Sequence, residues 1–290
     1  MSGGLTSRAL AWRERGASED VDGRQIHVFR RDGADPVLLL LHGFPSSSFD
    51  WRALLDLERE HSVLAFDYLG FGLSDKPADA DYSLALQADI AEELVGRHAA
   101  GRPVFLVGHD IGTSVANELM ARDIDGSLKM DVRGALLFNG SMIQGAASPT
   151  LAQRLLRGRL GPLASRLSSE RFFRKQFGSI FSAQHPLTDA EAADQWSLVA
   201  RDEGQRLGHK LIRYMDEREQ KADRWHGAIR DWPKPLHLAW GMSDPVANER
   251  VLAGVIALRP NAPLTRLDEL GHYPQIERPE AISAVLKAAL

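Results

Sequence analysis

The sequence contains no cysteine, which excludes disulfide bonds, thiolate metal sites and a cysteine nucleophile. It has no long hydrophobic run either, since the longest, PVLLLLHG, is too short to span a membrane and is flanked like a buried strand. The first residues, MSGGLTSRALAWRERG, lack the apolar stretch of a signal peptide. We therefore expect a cytoplasmic protein without membrane association.

Basic runs are also missing, because the arginines are scattered along the chain. The formal net charge is -4, so electrostatics give no reason to expect a nucleic acid as partner. Hydrophobic residues make up 44% and charged residues 26%, which is an ordinary globular composition. The 290 residues suit one α/β domain or a core with an inserted piece. We expect a monomer or a homodimer that holds no metal ion and no cofactor.

Short apolar runs bounded by glycine, proline and aspartate alternate with longer segments of helical period. This alternation predicts an α/β fold with a mostly parallel central sheet flanked by helices. Runs such as VLLLLH and VFLVGH are apolar on both faces, as strands covered on two sides should be. The predicted strands are 25–30, 37–42, 62–66, 103–108, 132–139, 236–240 and 264–267. The predicted helices are 83–98, 112–121, 246–258 and 279–290.

The long gap before the strand at 236–240 has a different pattern. Leucines, the run RFFRKQF and the segment LGHKLIRYMDEREQ follow helical periods, with no convincing strand among them. This predicts an all-helical cap over residues 141–232, inserted between two strands of a core formed by 1–140 and 233–290. Such a cap would cover the carboxyl ends of the strands, where open α/β sheets bind ligands.

The strongest motif is Gly108-His109-Asp110-Ile111-Gly112, which lies between a predicted strand and a predicted helix. It has the layout of the nucleophile elbow G-x-S-x-G, with aspartate in place of serine. The glycines permit a sharp turn that lifts the central side chain above the sheet. The helix N-terminus favours an anion there. The alternative is an ordinary glycine-flanked turn with a helix-capping aspartate.

Three further residues favour a catalytic interpretation. Phe44 belongs to the sequence HGFP directly after a strand, and its backbone N–H, with that of Ile111, would form an oxyanion hole. Asp244 lies just past a strand end, and His272 lies in a Gly-His loop after the last strand. The chain order of nucleophile, acid and histidine is the one expected for this elbow. A solvated loop histidine is the alternative for His272.

The stretches LLHGFPSSSFDW, FDYLGFGLSDKP, VGHDIG, WGMSDPV and LGHYPQIERPE resemble the α/β-hydrolase superfamily, in its epoxide hydrolase and haloalkane dehalogenase branch. The resemblance extends from about residue 35 to the end, apart from the cap. Several of these stretches are also similar to the mesoderm-specific transcript protein group. The resemblance implies the α/β-hydrolase fold and a triad of Asp110, Asp244 and His272.

An aspartate nucleophile limits the chemistry to a narrow class. An ionised carboxylate needs no base and suits displacement at an sp3 carbon, which leaves an alkyl ester of Asp110. His272, oriented by Asp244, would then activate a water molecule that hydrolyses the ester. A small-molecule substrate with a strained or activated C–O or C–halogen bond is therefore expected. A pseudo-hydrolase that only binds an apolar ligand is the non-enzyme alternative.

The leaving group separates epoxide hydrolase, haloalkane dehalogenase and strained-lactone hydrolase. The dehalogenases that this chain resembles typically use Trp and Asn side chains as N–H donors to the departing halide. At these positions this chain has Ile111 and Phe44, whose side chains donate no hydrogen bond. Indoles at Trp196 or Trp225 would have to compensate. An epoxide oxygen needs an acid, and Tyr214 has a position similar to the ring-opening tyrosine. The second tyrosine of that family is absent, with His185 and His209 as the available substitutes.

Other polar residues are interpreted as architecture. The charged runs in FFRKQF and DEREQ are typical of solvated helix faces. The polar residues of FDYLGFGLSDKP indicate loop scaffolding near the site. His42 is interpreted as structural, and His109 is expected to point into the packing of the sheet.

Overall fold

A computed structural model describes residues 4–290, and residues 1–3 of the predicted core lie outside the described part. Its centre is an eight-stranded sheet in the order β1-β2-β4-β3-β5-β6-β7-β8. The six strands from β3 to β8 run parallel, and β1 and β2 are antiparallel. The strands are β1 Ala17–Val21, β2 Arg24–Arg31, β3 Ala34–Leu41, β4 His61–Phe66, β5 Pro103–His109, β6 Asp131–Phe138, β7 Leu236–Gly241 and β8 Leu264–Leu267.

Helices cover both faces of this sheet, which confirms the predicted α/β class. They are α1 Ser7–Arg15, α2 Arg52–Leu57, α3 Leu84–His98, α4 Ile111–Asp125, α5 Leu151–Arg157, α6 Gly161–Arg166, α7 Glu170–Gly178, α8 Asp189–Ala200, α9 Gly208–Leu211, α10 Tyr214–Gln220, α11 Ala222–Asp231, α12 Glu249–Leu258, α13 Pro274–Glu277 and α14 Pro279–Ala289. Short 3-10 turns occupy Ser48–Trp51, Gln144–Ala146 and Arg201–Leu207. Within residues 4–290, no helix is long and apolar enough to cross a membrane.

All seven predicted strands are present, and their bounds shift by a few residues at most. The prediction missed β1, whose sequence ASEDV is largely polar. This strand lies at the edge of the sheet and pairs with β2. Charged residues on an edge strand prevent pairing with other chains, and they replace the alternating apolar residues by which a strand is predicted. It also missed α1, which buries Ala9 and Trp12 and is otherwise exposed or half-exposed.

The predicted start of α12 at Val246 was wrong, because the helix begins at Glu249. Asp244 Oδ1 accepts the N–H groups of Val246, at 2.7 Å, and Ala247, at 3.0 Å. These bonds hold the chain in a turn, and Asn248 then caps the helix by accepting from Arg250 N–H. The Asp244 side chain itself therefore delays the start of the helix.

Between β6 and β7 the chain forms helices and turns, and the described residues there include no strand. We call residues 141–232 the helical segment. Its α11 packs on α4, the helix that follows the elbow. The helical segment therefore contacts the core close to the carboxyl end of β5, and the division into core and cap stays a prediction.

Candidate active site

Asp110 occupies the turn between β5 and α4 in a backbone conformation that non-glycine residues seldom adopt, with φ 48° and ψ −111°. Such a conformation costs about 1–3 kcal/mol and persists only where the surroundings impose it. The surroundings here are tight, since a Cβ on Gly112 would lie 2.0 Å from the carbonyl oxygen of Leu41. The sharp turn predicted from GHDIG is therefore held by backbone contact with β3.

The loop after β3 supplies a donor to the Asp110 carboxylate. The backbone N–H of Phe44 donates to Asp110 Oδ2 at 3.0 Å. Gly43 permits this approach, because a Cβ there would lie 2.7 Å from His109 Nδ1. The amide of Ile111, the second predicted donor, makes no hydrogen bond to this carboxylate within the described chain. Of the two predicted amides, the structure brings that of Phe44 into contact with the Asp110 carboxylate.

Asp244 and His272 meet at the carboxyl ends of β7 and β8. His272 Nδ1 lies 2.6 Å from Asp244 Oδ2, and His272 Nε2 lies 3.9 Å from Asp110 Oδ2. All three side chains are almost fully buried. Burial alone would lower the pKa of His272, but the charges of Asp244 and Asp110 outweigh it and raise the pKa to about 10. The arrangement places an imidazole between two carboxylates.

Burial opposes the ionised form of Asp110, yet its pKa lies below the usual range. The positive charge of His272 and then that of Arg218 outweigh the burial. Asp110 is consequently a carboxylate at neutral pH, as a carboxylate nucleophile must be.

Asn139 is a buried residue that contacts the candidate acid Asp244. It follows β6 with a φ of 47° and donates through Nδ2 to Asp244 Oδ2 at 2.8 Å. Its Oδ1 accepts the Gly241 N–H at 2.9 Å. Asn139 therefore ties the loops after β6 and β7 together and orients the acid. Its position at a strand's carboxyl end was the available signal.

Replacing Asp244 by Asn should lower the pKa of His272 from about 10, because the carboxylate bonded to Nδ1 is lost. The imidazole titration measured by NMR checks this. Because the folded chain binds this proton more tightly, its stabilising effect is present below pH 6.5 and is lost as pH rises through about 10. An Asp123→Asn control, which removes the partner of Lys234, should leave the titration of His272 unchanged. An unshifted His272 in Asp244→Asn would contradict the assignment.

Arg218 corrects the interpretation of DEREQ as a solvated face, since it is only 2% exposed. Its Nη2 donates to the Asp110 backbone oxygen at 3.0 Å and lies 3.4 Å from Asp110 Oδ1. Its Nε donates to Ser114 Oγ at 2.8 Å, and the guanidinium lies 4.8 Å from the Tyr214 ring centre. A buried cation therefore reaches from α10 to the nucleophile turn. Local sequence carries no signal for this contact, because charged helical residues are usually solvated.

The two other histidines near the turn are neutral and structural. Burial lowers the pKa of His42 to about 4 and that of His109 to about 3. His42 Nε2 accepts the Tyr68 N–H at 3.0 Å. His109 Nε2 lies 2.7 Å from the carbonyl oxygen of His272, so it supports the loop that carries the triad histidine. Both agree with the structural roles expected for them.

Tyr214 is buried beside the site, and its hydroxyl accepts a hydrogen bond from Gln153 Nε2 at 3.1 Å. Its ring lies 5.5 Å from that of Phe44. Burial, and then the charge of Asp110, raise the pKa of Tyr214 above its usual value, so the phenol keeps its proton. The Trp225 indole N–H donates to Glu118 Oε2 at 2.9 Å, which leaves it no proton for a leaving group.

A cavity of about 290 Å³ lies between the core and the helical segment. Phe44 and His272, which flank Asp110, form part of its wall. Most of the remaining wall comes from apolar side chains of the helical segment, among them Leu155, Leu156, Leu167, Phe173, Phe177 and Ile180. Trp196, Trp225 and Tyr214 are not among the described residues that line the cavity, whereas Gln153 is. The cavity suits a small, largely apolar ligand.

This fold and this arrangement of residues define the class of protein. The profile of the alpha/beta hydrolase family matches residues 38–285, and the chain belongs to that family. It is 49% identical over 270 residues to the protein LipZ of Mycobacterium tuberculosis, covering 93% of both chains. It is 32% identical over 289 residues to the mesoderm-specific transcript protein of Mus musculus, covering 95% of this chain and 85% of the relative.

A more distant relative and two solved structures complete the comparison. The cis-3-alkyl-4-alkyloxetan-2-one decarboxylase of Xanthomonas campestris is 24% identical over 274 residues, covering 88% of each chain. The epoxide hydrolase CorEH superposes with a TM-score of 0.75 at 18% identity, covering 94% of this chain and 97% of that one. The haloalkane dehalogenase DatA of Agrobacterium tumefaciens superposes with a TM-score of 0.76 at 20% identity, covering 94% of each. At these identities the two structures establish the shared fold alone.

Proposed function

We propose that the chain is a hydrolase that attacks an sp3 carbon through an aspartyl-ester intermediate, most similar in action to an epoxide hydrolase. The observation that carries the proposal is the contact set of Asp110. Its ionised carboxylate accepts the Phe44 N–H and lies 3.9 Å from the imidazole of His272, which Asp244 orients. A ligand-binding pseudo-hydrolase would not require this set.

In the first step a carboxylate oxygen of Asp110 attacks the substrate carbon, and the C–O bond of the epoxide breaks. The ring oxygen leaves as an alkoxide and must take a proton. Tyr214 is the proposed donor, because its phenol is protonated and its hydroxyl bonds to Gln153 at the cavity wall. The remaining carboxyl oxygen becomes the carbonyl oxygen of an ester.

In the second step His272 removes a proton from water, and the hydroxide adds to the ester carbon of Asp110. The Phe44 N–H stabilises the oxyanion, a contribution of about 3–4 kcal/mol in related acyl chemistry. The ester bond then breaks, and His272 returns its proton to the departing diol oxygen. Asp110 retains one oxygen from water, and the proton of the new carboxyl group returns to the Tyr214 phenolate, which restores both side chains. Ester formation also removes a negative charge beside His272, which favours the neutral imidazole that a base requires.

We propose the helical segment as a cap, since it supplies most of the cavity wall. Its composition favours an epoxide over a halide, because the described lining offers no indole N–H to hold a departing halide. A strained lactone is the second candidate. The Xanthomonas relative is named for an oxetan-2-one, and opening such a ring at its sp3 carbon expels a carboxylate, which needs no acid.

Turnover of an epoxide and an oxetan-2-one in ¹⁸O-labelled water tests the proposal. The label should enter Asp110, as measured by the mass of the peptide containing it. Asp110→Asn should not turn over the substrate. A label confined to the product would contradict the ester, and no turnover across epoxides, lactones and halides would favour the binding alternative.

Replacing Tyr214 by Phe should slow epoxide opening by about 10²–10⁴-fold, since the departing alkoxide loses its proton donor. Opening of the lactone should persist, because carboxylate is a stable leaving group. Single-turnover kinetics with both substrates measure the two rates. The control is Tyr82→Phe, which removes a different tyrosine hydroxyl. The Tyr82 hydroxyl donates to the backbone carbonyl of Pro77. Equal slowing of both substrates would show a structural role for Tyr214.

A further inference from the structure

One cationic side chain lies at the wall of the cavity. Among the described residues that line it, Lys76 is the only lysine or arginine. Lys76 is partly buried, and its Nζ donates to the carbonyl oxygen of Gly72, another residue of the wall. No carboxylate within residues 4–290 comes within salt-bridge distance of it. Lys76 thus belongs to the wall of an apolar cavity, and its ammonium has a neutral hydrogen-bond partner but no carboxylate of residues 4–290 in direct contact.

The turn across from Lys76 is shaped to admit it. A Cβ on Gly204 would lie 2.5 Å from Lys76 Cε and 2.6 Å from the Val199 carbonyl oxygen, so the lysine stem packs directly against this glycine. The turn reaches Gly204 through two non-glycine residues with positive φ, Asp202 at 51° and Glu203 at 58°. The lysine is therefore held between the loop after β4 and the helical segment.

Gln205, the residue after Gly204, places an amide in the same cavity wall. It lines the cavity beside Gly204, and its buried Oε1 has no hydrogen-bond partner within the described chain. A buried amide oxygen without a partner is destabilising unless a ligand or a water molecule satisfies it. An amide can present its NH₂ group by rotation, and so it can donate to an anion beside an ammonium.

We propose that Lys76 and Gln205 form a subsite for a substrate carboxylate. The preferred substrate would then be an amphipathic acid, with an apolar chain along the leucines and phenylalanines of the cavity and its reactive ring at Asp110. Lys76 Nζ and the Gln205 amide donate to the carboxylate, so the ammonium gains a directly bonded anion. This inference rests on the proposed function for the reactive ring, but the anion subsite stands on its own contacts.

Isothermal titration calorimetry with octanoate and 1-octanol tests the subsite. Neither ligand carries a leaving group, so the outcome is independent of the Asp110 ester. The wild-type chain should bind octanoate at least about tenfold more tightly than 1-octanol, as a charged hydrogen bond allows. Lys76→Met should abolish this preference and retain octanol binding, which also reports folding. Lys76→Arg should keep much of it, and Gln205→Leu should reduce it a few-fold.

Lys210→Met is the matched control, because Lys210 Nζ also donates to a backbone carbonyl, that of Ala78, but lies outside this cavity. Its octanoate preference should equal that of the wild type. The proposal is overturned if the wild type shows no preference, or if Lys76→Met keeps it in full, as binding by the His272 imidazolium would. If Lys76→Met does not fold, the other two variants decide. A Gln205→Leu protein that keeps the octanoate preference in full, or a Lys76→Arg protein that loses it, would overturn the proposal.

Discussion

Replacing His272 by Gln should trap the enzyme as an alkyl ester of Asp110. The first step uses the carboxylate directly and needs no base, whereas the second needs a proton acceptor for water. Steady-state turnover should therefore fall by about 10²–10⁴-fold, while a stoichiometric adduct forms within the first turnover. Intact-protein mass spectrometry after mixing with an epoxide would measure the adduct, and peptide mapping would locate it on Asp110.

The control is His226→Gln, since His226 Nε2 lies 3.1 Å from the Met142 carbonyl oxygen and has no contact with Asp110. It should turn over like the wild type, without accumulating the adduct. A His272→Gln protein that forms no adduct at all would assign His272 to the first step. That result would contradict the proposed order, in which His272 acts only in the hydrolysis of the ester. Undiminished turnover would remove His272 from the mechanism.

Replacing Arg218 by Met should lower the free energy of unfolding by about 3 kcal/mol, the lower end for breaking a buried ion pair. Asp110 would keep the Phe44 N–H but lose its contact with the guanidinium, and Ser114 Oγ and the Asp110 carbonyl would lose a donor. The pKa of Asp110 should also rise, because Arg218 helps to lower it. Denaturant unfolding measures the first effect, and the acid limb of the pH–rate profile measures the second.

Arg213→Met is the matched control on the neighbouring turn. Arg213 pairs with Asp216 at 2.6 Å, but its side chain is 61% exposed. Exposed pairs contribute about 0.2–1 kcal/mol, so this variant should stay close to the wild type. Equal stability losses in the two variants would show that the burial of Arg218 is not what matters.

Most of the sheet was predictable because parallel strands covered on two faces read as continuous apolar runs, as in β3 and β5. The elbow motif and the loops after two later strands placed Asp110, Asp244 and His272 at strand ends, and the structure brings these three together. Edge strand β1 and helix α1 escaped prediction because few of their side chains are buried. Polar residues outnumber apolar residues in both segments, so neither shows the periodicity of a buried helix or strand.

Arg218 and Asn139 escaped for another reason. Each acts through a contact about a hundred positions away in sequence, Arg218 with Asp110 and Asn139 with Asp244. Such partnerships depend on how a helix docks and how neighbouring loops meet, and local periodicity carries no information on either. The Ile111 amide was predicted as a donor to the oxyanion of the intermediate, and that role stays a prediction.

The Arg218 contact also links two parts of the chain. It joins α10 of the helical segment to Asp110, so the position of that helix and the charge of the nucleophile are thermodynamically coupled, and such coupling is reciprocal. An ester at Asp110 would carry no charge and would leave the guanidinium buried with a weaker partner. The covalent state of a single side chain would then alter how firmly α10 is held against the turn after β5, and each turnover of the proposed mechanism would loosen and restore that hold once.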